Sequence, residues 1–450
     1  MAAQGAHGLG GARTIRLILL FGLLVSVFSY GLIFVASSYL RHVSVDAAVS
    51  FWSNDFPRPL PADAYPSPFG NHFFGDFLIP FRLAQQSSPY LAEGFLPFGY
   101  FPMAAVLLGP FSLLDYWWAF SSFLLVSVIP ILGSIWRSFP SDEKVAAALL
   151  ISLVFISGPF VNAVDRGNVG LLMVGIMCLG ALAELSERRI LAGVFFGIAA
   201  AMKLYPAFLG AVFIRRERWK ALVAMAATSL ACVFVPMIMY EGGWWKNVIA
   251  MKNQFAGSSN FSHAERIHAF NNSFFALFHA IELSEVPVIH WLGKALVHHY
   301  YAVVAVVALI SLVVTLNPRV TSLSKYVCCC VTMVFSPNIV GSYVLLIMVV
   351  PLILGCAMLS RSSSAPSRQS VIQIALLVLL LIPKGLPFPN PLATWTQQAS
   401  TFASVLNPLI GLLLVSVSAV EFFRTATNKV LVHAEGQNAD ELPSVGTSFH

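Results

Sequence analysis

The sequence predicts an all-α polytopic membrane protein, and three observations support this prediction. Hydrophobic residues make up 58% of the 450 residues and charged residues only 10%, too apolar a balance for a soluble protein of this size. The mean hydropathy is +0.78. Apolar runs of roughly 17–25 residues, the length that crosses a hydrocarbon core about 30 Å thick, recur along the chain. Because helices satisfy their own backbone hydrogen bonds, an α-helical bundle follows.

The first apolar run covers about residues 15–40 and follows Arg13 and Arg16. It is longer than a signal-peptide core and lacks a clear cleavage site, so we expect a retained anchor. Further spans are predicted near residues 100–114, 117–136, 145–164, 169–185, 221–240, 301–316, 326–335 running towards 358, 371–383 and 402–422. The total is about 10–12 transmembrane helices in a single domain over residues 1–429.

Short basic clusters separate the apolar runs and predict the orientation of the chain. They lie at residues 188–189, 215–220, 319–325, 361–368 and 424–429. By the positive-inside rule these clusters face the cytoplasm, so the net charge of +6 reflects topology in a multi-pass cell-membrane protein and not nucleic-acid binding. The polar segment 430–450 is expected to be a disordered cytoplasmic tail.

Two polar segments are predicted to be external loops. Residues 41–99 are rich in prolines and aromatic residues and form the first and larger loop; residues 241–299 are dense in hydrogen-bonding groups and form the second. Within the first loop, residues 76–86 are expected to form a short amphipathic helix along the membrane interface.

The apolar segment at residues 190–214 has basic residues on both sides. A single straight span would place one of these basic clusters outside. A re-entrant pair of half-helices turning near residues 202–206 would keep both inside and bring Lys203 towards the external face as a site residue. A plain helix with a snorkelling lysine is the alternative.

Two polar positions are candidates for chemistry. Asp76 is flanked by aromatic residues at the interface, where a carboxylate could act as a general base, or could simply be an exposed loop residue or a helix cap. Asp165-Arg166-Gly167-Asn168 interrupts an apolar stretch, as a functional group or as an internal ion pair. Arg166 and Lys203 are suitable cations for a phosphate headgroup.

Several well-known motifs are absent from the sequence. It contains no phosphate-binding loop for nucleotides, no zinc-protease motif and no serine nucleophile elbow. The six cysteines have no metal-ligand spacing. We therefore expect neither a cofactor nor a metal, and a lipid-linked substrate would need no nucleotide pocket.

An ordered set of short segments resembles a known family. The segments are Gly75-Asp76-Phe77, Ser88-Pro89-Tyr90, residues 97–105, Arg166-Gly167-Asn168, residues 191–197, Met202-Lys203-Leu204-Tyr205-Pro206, Asn271-Asn272-Ser273-Phe274 and Phe335-Ser336-Pro337. Together, across roughly residues 70–360, they resemble glycosyltransferase family 87, the membrane α-mannosyltransferases and related arabinofuranosyltransferases of the type C superfamily.

The resemblance implies a type C glycosyltransferase fold with a large first extracytoplasmic loop that carries short interfacial helices. It further implies inverting transfer of a sugar, with mannose favoured, from a polyprenyl-phosphate donor to a cell-envelope glycolipid or glycan on the extracytoplasmic face. Asp76 occupies the position of the catalytic base. Lys203 and Arg166 are expected to bind the phosphate. The further expected substrate contacts are Asn168, Asn272, Tyr205 and His72.

Two departures from the family pattern leave the sugar and the acceptor open. Many members have Gly-Gln-x-Asn where this chain has Arg166-Gly167-Asn168-Val169, and the histidines that often follow the Ser336-Pro337 motif are missing. A polyprenyl-phosphate-arabinose donor is therefore an alternative. A lipid-linked glycan flippase would show inverted repeats, which we do not find, and a glycan polymerase would have a larger late loop rich in arginine and histidine.

Overall fold

The computed structural model describes residues 2–40, 75–92, 99–262, 271–337, 340–362, 365–384 and 402–440. Within these residues every regular element is a helix. The α-helices are α1 (Ala2–Leu40), α2 (Gly75–Ala84), α3 (Pro102–Leu108), α4 (Tyr116–Ser138), α5 (Lys144–Ile156), α6 (Gly158–Arg166), α7 (Gly170–Leu185), α8 (Arg189–Ala200), α9 (Trp219–Met239), α10 (Gly243–Ser262), α11 (Phe274–Glu282), α12 (Pro287–His298), α13 (Tyr300–Leu316), α14 (Ser322–Phe335), α15 (Val349–Arg361), α16 (Arg368–Leu381) and α17 (Phe402–Asp440). Four 3-10 helices join them, at Gly109–Leu113, Ser141–Glu143, Tyr205–Phe213 and Ser342–Met348.

The structure confirms an all-α polytopic membrane protein. Five helical segments in the described part of the chain are long and apolar enough to cross a membrane: Gly10–Ile33, Tyr116–Ser138, Trp219–Met239, Ser342–Arg361 and Phe402–Thr425. Two bent pairs raise the number to seven: Ser141–Ile156 with Gly158–Arg166, and Pro287–His298 with Tyr300–Leu316.

The predicted number of about 10–12 spans is larger because it counts shorter helices as spans. These are Pro102–Leu113, Gly170–Leu185, Ser322–Phe335 and Arg368–Leu381. At 1.5 Å per residue, helices of 12–16 residues reach only about 18–24 Å, less than the roughly 30 Å hydrocarbon core.

The bundle is built around α14, whose residues from Leu323 to Phe335 are all buried. The outer helices instead keep one apolar face exposed. In α1, Ile15 and Leu19 are buried, whereas Phe21 and Phe28 are more than 60% exposed. Large apolar side chains that are exposed along one helix face are what a lipid-facing surface requires.

Basic side chains tie the ends of many helices together at one end of the bundle, which we call the basic end. Five arginines make these contacts: Arg16 with Glu143, Arg218 with Glu184, Arg215 with the Asn317 carbonyl, Arg319 with the Thr425 carbonyl, and Arg361 with the Ser138 and Leu185 carbonyls. The basic clusters predicted to share one side of the membrane therefore lie together.

The segment between α8 and α9 has the break predicted for a re-entrant pair. Helix α8 ends at Ala200, and the 3-10 helix Tyr205–Phe213 begins after a break at residues 201–204. Its two flanks meet at the basic end, because Arg218 pairs with Glu184, and residues 187–189 line one cavity with Glu217, Arg218 and Lys220. A straight helix with a snorkelling lysine is therefore excluded, and Lys203 lies in the turn away from the basic end.

Two polar segments contain more helix than the sequence predicts. Helices α10, α11 and α12 occupy much of residues 241–299, and α12 bends by 76° from α13. Helix α17 continues to Asp440, through the first half of the segment predicted to be a disordered tail. Residues 41–74, which make up most of the predicted first loop, lie outside the described part of the chain.

Candidate active site

Asp76 lies in the first turn of α2, where the partial positive charge of a helix N-terminus favours a carboxylate. The next residue, Phe77, is fully buried. Its ring packs against Phe120 and Phe123 of α4 at centroid distances of 5.4 and 4.9 Å. This aromatic contact anchors α2 to α4 and fixes the position of Asp76, whose side chain is 22% exposed.

Arg166 and Asn168 flank the tight turn that ends α6. Gly167 has φ +62°, a left-handed conformation in which glycine is not strained. The N–H of Gly167 donates to the Val164 carbonyl and that of Asn168 to the Ala163 carbonyl, which is the hydrogen-bond pattern of a Schellman motif. The turn points both flanking side chains at the same target.

That target is the Asp76 carboxylate. Arg166 Nε donates to Oδ2 at 2.8 Å and Arg166 Nη2 donates to Oδ1 at 3.2 Å, which makes a bidentate pair across 90 residues of sequence. Asn168 Nδ2 also donates to Oδ2, at 2.7 Å. Asn168 Oδ1 in turn accepts the Gly170 N–H at 2.7 Å, which fixes the orientation of the amide.

Lys203 supplies a second cation beside this cluster. Its Nζ lies 4.7 Å from the ring centroid of Tyr100, 5.9 Å from that of Tyr205 and 5.8 Å from that of Tyr343, within range of cation–π attraction. The turn that carries it is held by the Phe101 N–H, which donates to the Met202 carbonyl at 3.0 Å.

The charges in the cluster shift one another's ionisation. Burial and the positive charge of Arg166 together lower the pKa of Lys203 to about 8, against the attraction of Asp76. For Asp76, burial opposes ionisation. The charge of Arg166, the hydrogen bonds from Arg166 and Asn168, and the charge of Lys203 outweigh this and hold the Asp76 pKa below its ordinary value. Asp76 is therefore ionised at neutral pH.

A cavity of about 340 Å³ lies against both cations, at the lower end of the range of small-molecule sites. Its walls come from α6, the Lys203 turn and the segment that leads into α15. The lining residues are Asn162, Arg166, Lys203, Tyr205, Pro337, Val340, Gly341, Ser342, Tyr343 and Val344. Two cations and several polar groups facing one cavity suit an anionic group.

Asn272 supports the wall of the cavity from behind. It is fully buried, its backbone N–H donates to the Val340 carbonyl at 2.8 Å and its Nδ2 donates to Ser342 Oγ at 3.1 Å. Asn407 Nδ2 donates to Asn272 Oδ1 at 2.8 Å. This chain of hydrogen bonds connects α17 to the segment that carries Tyr343.

The structure brings four of the predicted site residues together: Asp76, Arg166, Asn168 and Lys203. Tyr205 lines the adjoining cavity. Asn272 was predicted to contact substrate in the same cavity. It lies behind the cavity wall instead, where its side chain hydrogen-bonds to Ser342, a lining residue. His72 lies outside the described residues.

Sequence analysis missed Tyr100 and Tyr343 as site residues. Both rings face Lys203, and Tyr343 also lies 5.7 Å from the Arg166 guanidinium. Tyr100 stands inside a family segment and Tyr343 follows another, so their positions in the motifs were a usable signal. In the part of the chain that the structure describes, no three His, Cys, Asp or Glu side chains are grouped to hold a metal ion.

The chain is similar in sequence to a known mannosyltransferase. The polyprenol-phosphate-mannose-dependent alpha-(1-2)-phosphatidylinositol pentamannoside mannosyltransferase of Mycolicibacterium smegmatis is 29% identical over 150 residues. The match covers 32% of this chain and 35% of the relative, so the chain aligns with about a third of that protein's length.

A family model described as glycosyltransferase family 87 matches residues 98–337. The matched region is more than half of the chain and contains Arg166, Asn168 and Lys203, three of the four clustered residues. The chain belongs to glycosyltransferase family 87.

Proposed function

We propose that this protein is a membrane glycosyltransferase that moves a sugar from a polyprenyl-phosphate donor to a cell-envelope glycolipid or glycan, with inversion at the anomeric carbon. The single observation that carries the proposal is the cluster in which a carboxylate, Asp76, stands against two cations, Arg166 and Lys203, beside a cavity. Inverting transfer needs a base for the acceptor and positive charge for the leaving phosphate, and the cluster supplies both.

The proposed reaction is a single displacement. The acceptor hydroxyl oxygen forms the new bond to the anomeric carbon while its proton passes to the Asp76 carboxylate. The bond between that carbon and the phosphate oxygen breaks on the opposite face of the sugar, and the electron pair leaves with the polyprenyl phosphate. Arg166 and Lys203 stabilise the negative charge that develops on that oxygen.

The remaining polar groups have supporting roles in this proposal. Tyr205 and Tyr343 line the cavity, and in this proposal they contact the donor. Asn168 contacts the carboxylate, not the cavity, and Asn272 shapes the wall, so their predicted contacts with substrate are indirect. His72, in the same sequence segment as Asp76, stays a predicted substrate contact.

Mannose is the favoured sugar because the Mycolicibacterium smegmatis relative uses polyprenol-phosphate mannose, as its name states. An extracytoplasmic site is favoured because α7 separates the Asp76 cluster from the basic end. The cluster lies at the Gly170 end of α7, and Arg361 and Arg218 contact its other end. Sixteen residues of helix place the two about 24 Å apart, and the positive-inside rule assigns the basic end to the cytoplasm.

The test is sugar transfer by the purified protein in nanodiscs, with radiolabelled polyprenyl-phosphate mannose and an envelope glycolipid fraction. Asp76→Asn keeps the shape and removes the base, so we expect transfer to fall by about 10²–10⁴-fold. Glu184→Gln is the matched control, because Glu184 is also a carboxylate paired with an arginine, but at the basic end. We expect this control to retain transfer in the folded fraction.

Equal transfer by wild type and Asp76→Asn would remove Asp76 from the role of base. If mannose is not transferred by either protein, the same assay with polyprenyl-phosphate arabinose tests the alternative donor. Absence of transfer from both donors, with the protein folded and the acceptor fraction competent for another enzyme, would overturn the proposed function.

A further inference from the structure

The Asp76 carboxylate, proposed as the base, already accepts hydrogen bonds from neighbouring side chains in this structure. Three hydrogen bonds reach Asp76, two from Arg166 and one from Asn168. A carboxylate has about four lone-pair sites, so one remains for an acceptor hydroxyl. Its charge is compensated by the bidentate arginine, and its pKa is held below the ordinary value. Proton transfer to such a group is weakly driven, because a general base works best when its pKa lies near the operating pH.

The two partners of Asp76 are held in different ways. The Asn168 amide is fixed by the Gly170 N–H on its other side, and it belongs to the start of α7. Arg166 lies at the edge of the cavity, with Tyr343 against its guanidinium. A guanidinium that faces a cavity can turn towards a ligand there, whereas an amide bonded to a helix backbone is fixed.

The cavity offers Arg166 an alternative anion. A phosphate bound at Lys203 would lie in the cavity that Arg166 also lines. Arginine forms bidentate pairs with phosphate as readily as with carboxylate. The donor and Asp76 would therefore compete for one guanidinium.

Resting on the proposed function, we propose that the donor phosphate takes Arg166 from Asp76, so that the base becomes active only when the donor is bound. Asn168 is then the positioning residue that keeps Asp76 in place during the exchange, and Lys203 remains with the phosphate. Substrate addition is ordered as a result, with the donor before the acceptor. An acceptor that arrives first meets a carboxylate that is still paired with arginine.

The exchange is tested by equilibrium binding, without turnover. The probe is a short-chain polyprenyl phosphate, the leaving group shared by all the candidate donors, titrated into wild type, Asp76→Asn, Arg166→Gln and the double variant. If Asp76 competes for Arg166, then Asp76→Asn binds the probe more tightly than wild type, by about tenfold for 1.4 kcal/mol of released pairing. In the Arg166→Gln background the same substitution has a much smaller effect.

The double variant separates competition from simple charge repulsion. Removing a negative charge near a phosphate raises affinity in both backgrounds, so equal gains with and without Arg166 would overturn the exchange. Unchanged or weaker binding by Asp76→Asn would overturn it as well. Failure of wild type to bind the probe at all would instead count against the proposed function, because it removes the donor site itself.

The role of Asn168 is tested with Asn168→Ser. A serine hydroxyl can still accept the Gly170 N–H but is too short to reach Asp76. Loss of this hydrogen bond raises the Asp76 pKa, so we expect the acid limb of the pH–rate profile to move to higher pH while affinity for the probe is unchanged. An unshifted acid limb, or a parallel loss of probe binding, would show that Asn168 has only a structural role.

Discussion

Two arginine–carboxylate pairs in this protein are alike in burial and differ in their surroundings. Arg166 pairs with Asp76 near the cavity, and Arg218 pairs with Glu184 at the basic end. All four side chains are between 8% and 22% exposed, and each pair joins separate elements. The first pair is adjacent to Lys203 and to a cavity, whereas the second holds the two flanks of the re-entrant segment together. The comparison teaches that surroundings, not the pair itself, indicate chemistry.

The largest expected difference comes from neutralising the two arginines in turn. Arg218→Gln leaves the buried Glu184 carboxyl group without its partner, so we expect a loss of about 3–5 kcal/mol in folding free energy. Arg166→Gln removes a cation from the proposed phosphate site, so we expect the donor KM to rise by at least about tenfold. Thermal denaturation in detergent and steady-state kinetics of sugar transfer measure the two effects.

An equal rise in donor KM for Arg218→Gln and Arg166→Gln would contradict this contrast. It would show that both arginines contribute to donor binding. Each variant is measured on protein that elutes as a single species, and Arg319→Gln, which loses one contact with the Thr425 carbonyl, is the control for removal of charge at the basic end.

A smaller expected effect concerns pH and Lys203. Burial holds its pKa at about 8, so the side chain is charged below that value and neutral above it. Binding of an anionic donor favours the charged form. We therefore expect donor affinity to fall by about tenfold between pH 7 and pH 9, as the protonated fraction falls. The phosphodiester donor does not titrate in this range.

Lys203→Arg provides the control for this pH dependence. Arginine keeps its charge throughout the range, so this variant is expected to bind the donor with an affinity that changes little from pH 7 to pH 9. Equal slopes for wild type and Lys203→Arg would show that another group titrates. Direct binding of a non-hydrolysable donor analogue avoids any contribution from catalysis.

The smallest expected effect comes from the hydrogen bond between Asn407 and Asn272, behind the cavity wall. Asn407→Leu removes the donor to Asn272 and leaves a buried amide oxygen without this partner, at a cost of about 1–3 kcal/mol. Because Asn272 holds the Val340–Ser342 wall, we expect a several-fold loss of transfer as well. Thr332→Val removes a comparable buried hydrogen bond, to Ser311, and is expected to lower stability alone. Equal losses of transfer in the two variants would contradict the role of the wall.

Much of the site was predictable from sequence because its residues stand out locally. Asp76, Arg166 and Lys203 are charged groups in apolar or aromatic surroundings, and such groups are conspicuous in a membrane protein. The break around Lys203 was predictable because basic residues on both flanks are incompatible with a straight span. Each of these inferences uses neighbours in the sequence.

The remaining features depend on contacts between distant segments. The approach of Arg166 to Asp76 joins positions 90 residues apart, and the position of Tyr343 depends on packing of its segment against α6. Gly341 permits this packing, because a Cβ there would lie 2.4 Å from Tyr343 Cε1. The number of spans depends on how the shorter apolar helices are counted, because hydropathy does not distinguish a buried helix of 12–16 residues from a spanning one.

The re-entrant segment that carries Lys203 sets the depth of its ammonium group in the membrane. Both of its ends are fastened at the basic end, so the length of α8 decides how far the ammonium group reaches towards the opposite side. Twelve residues of helix extend about 18 Å. One inserted residue would move the cation by about 1.5 Å and rotate it by about 100° about the helix axis. In the proposed function, the number of residues in α8 therefore sets the depth at which Lys203 meets the donor phosphate, and we expect a change in that number to alter which donor headgroups fit.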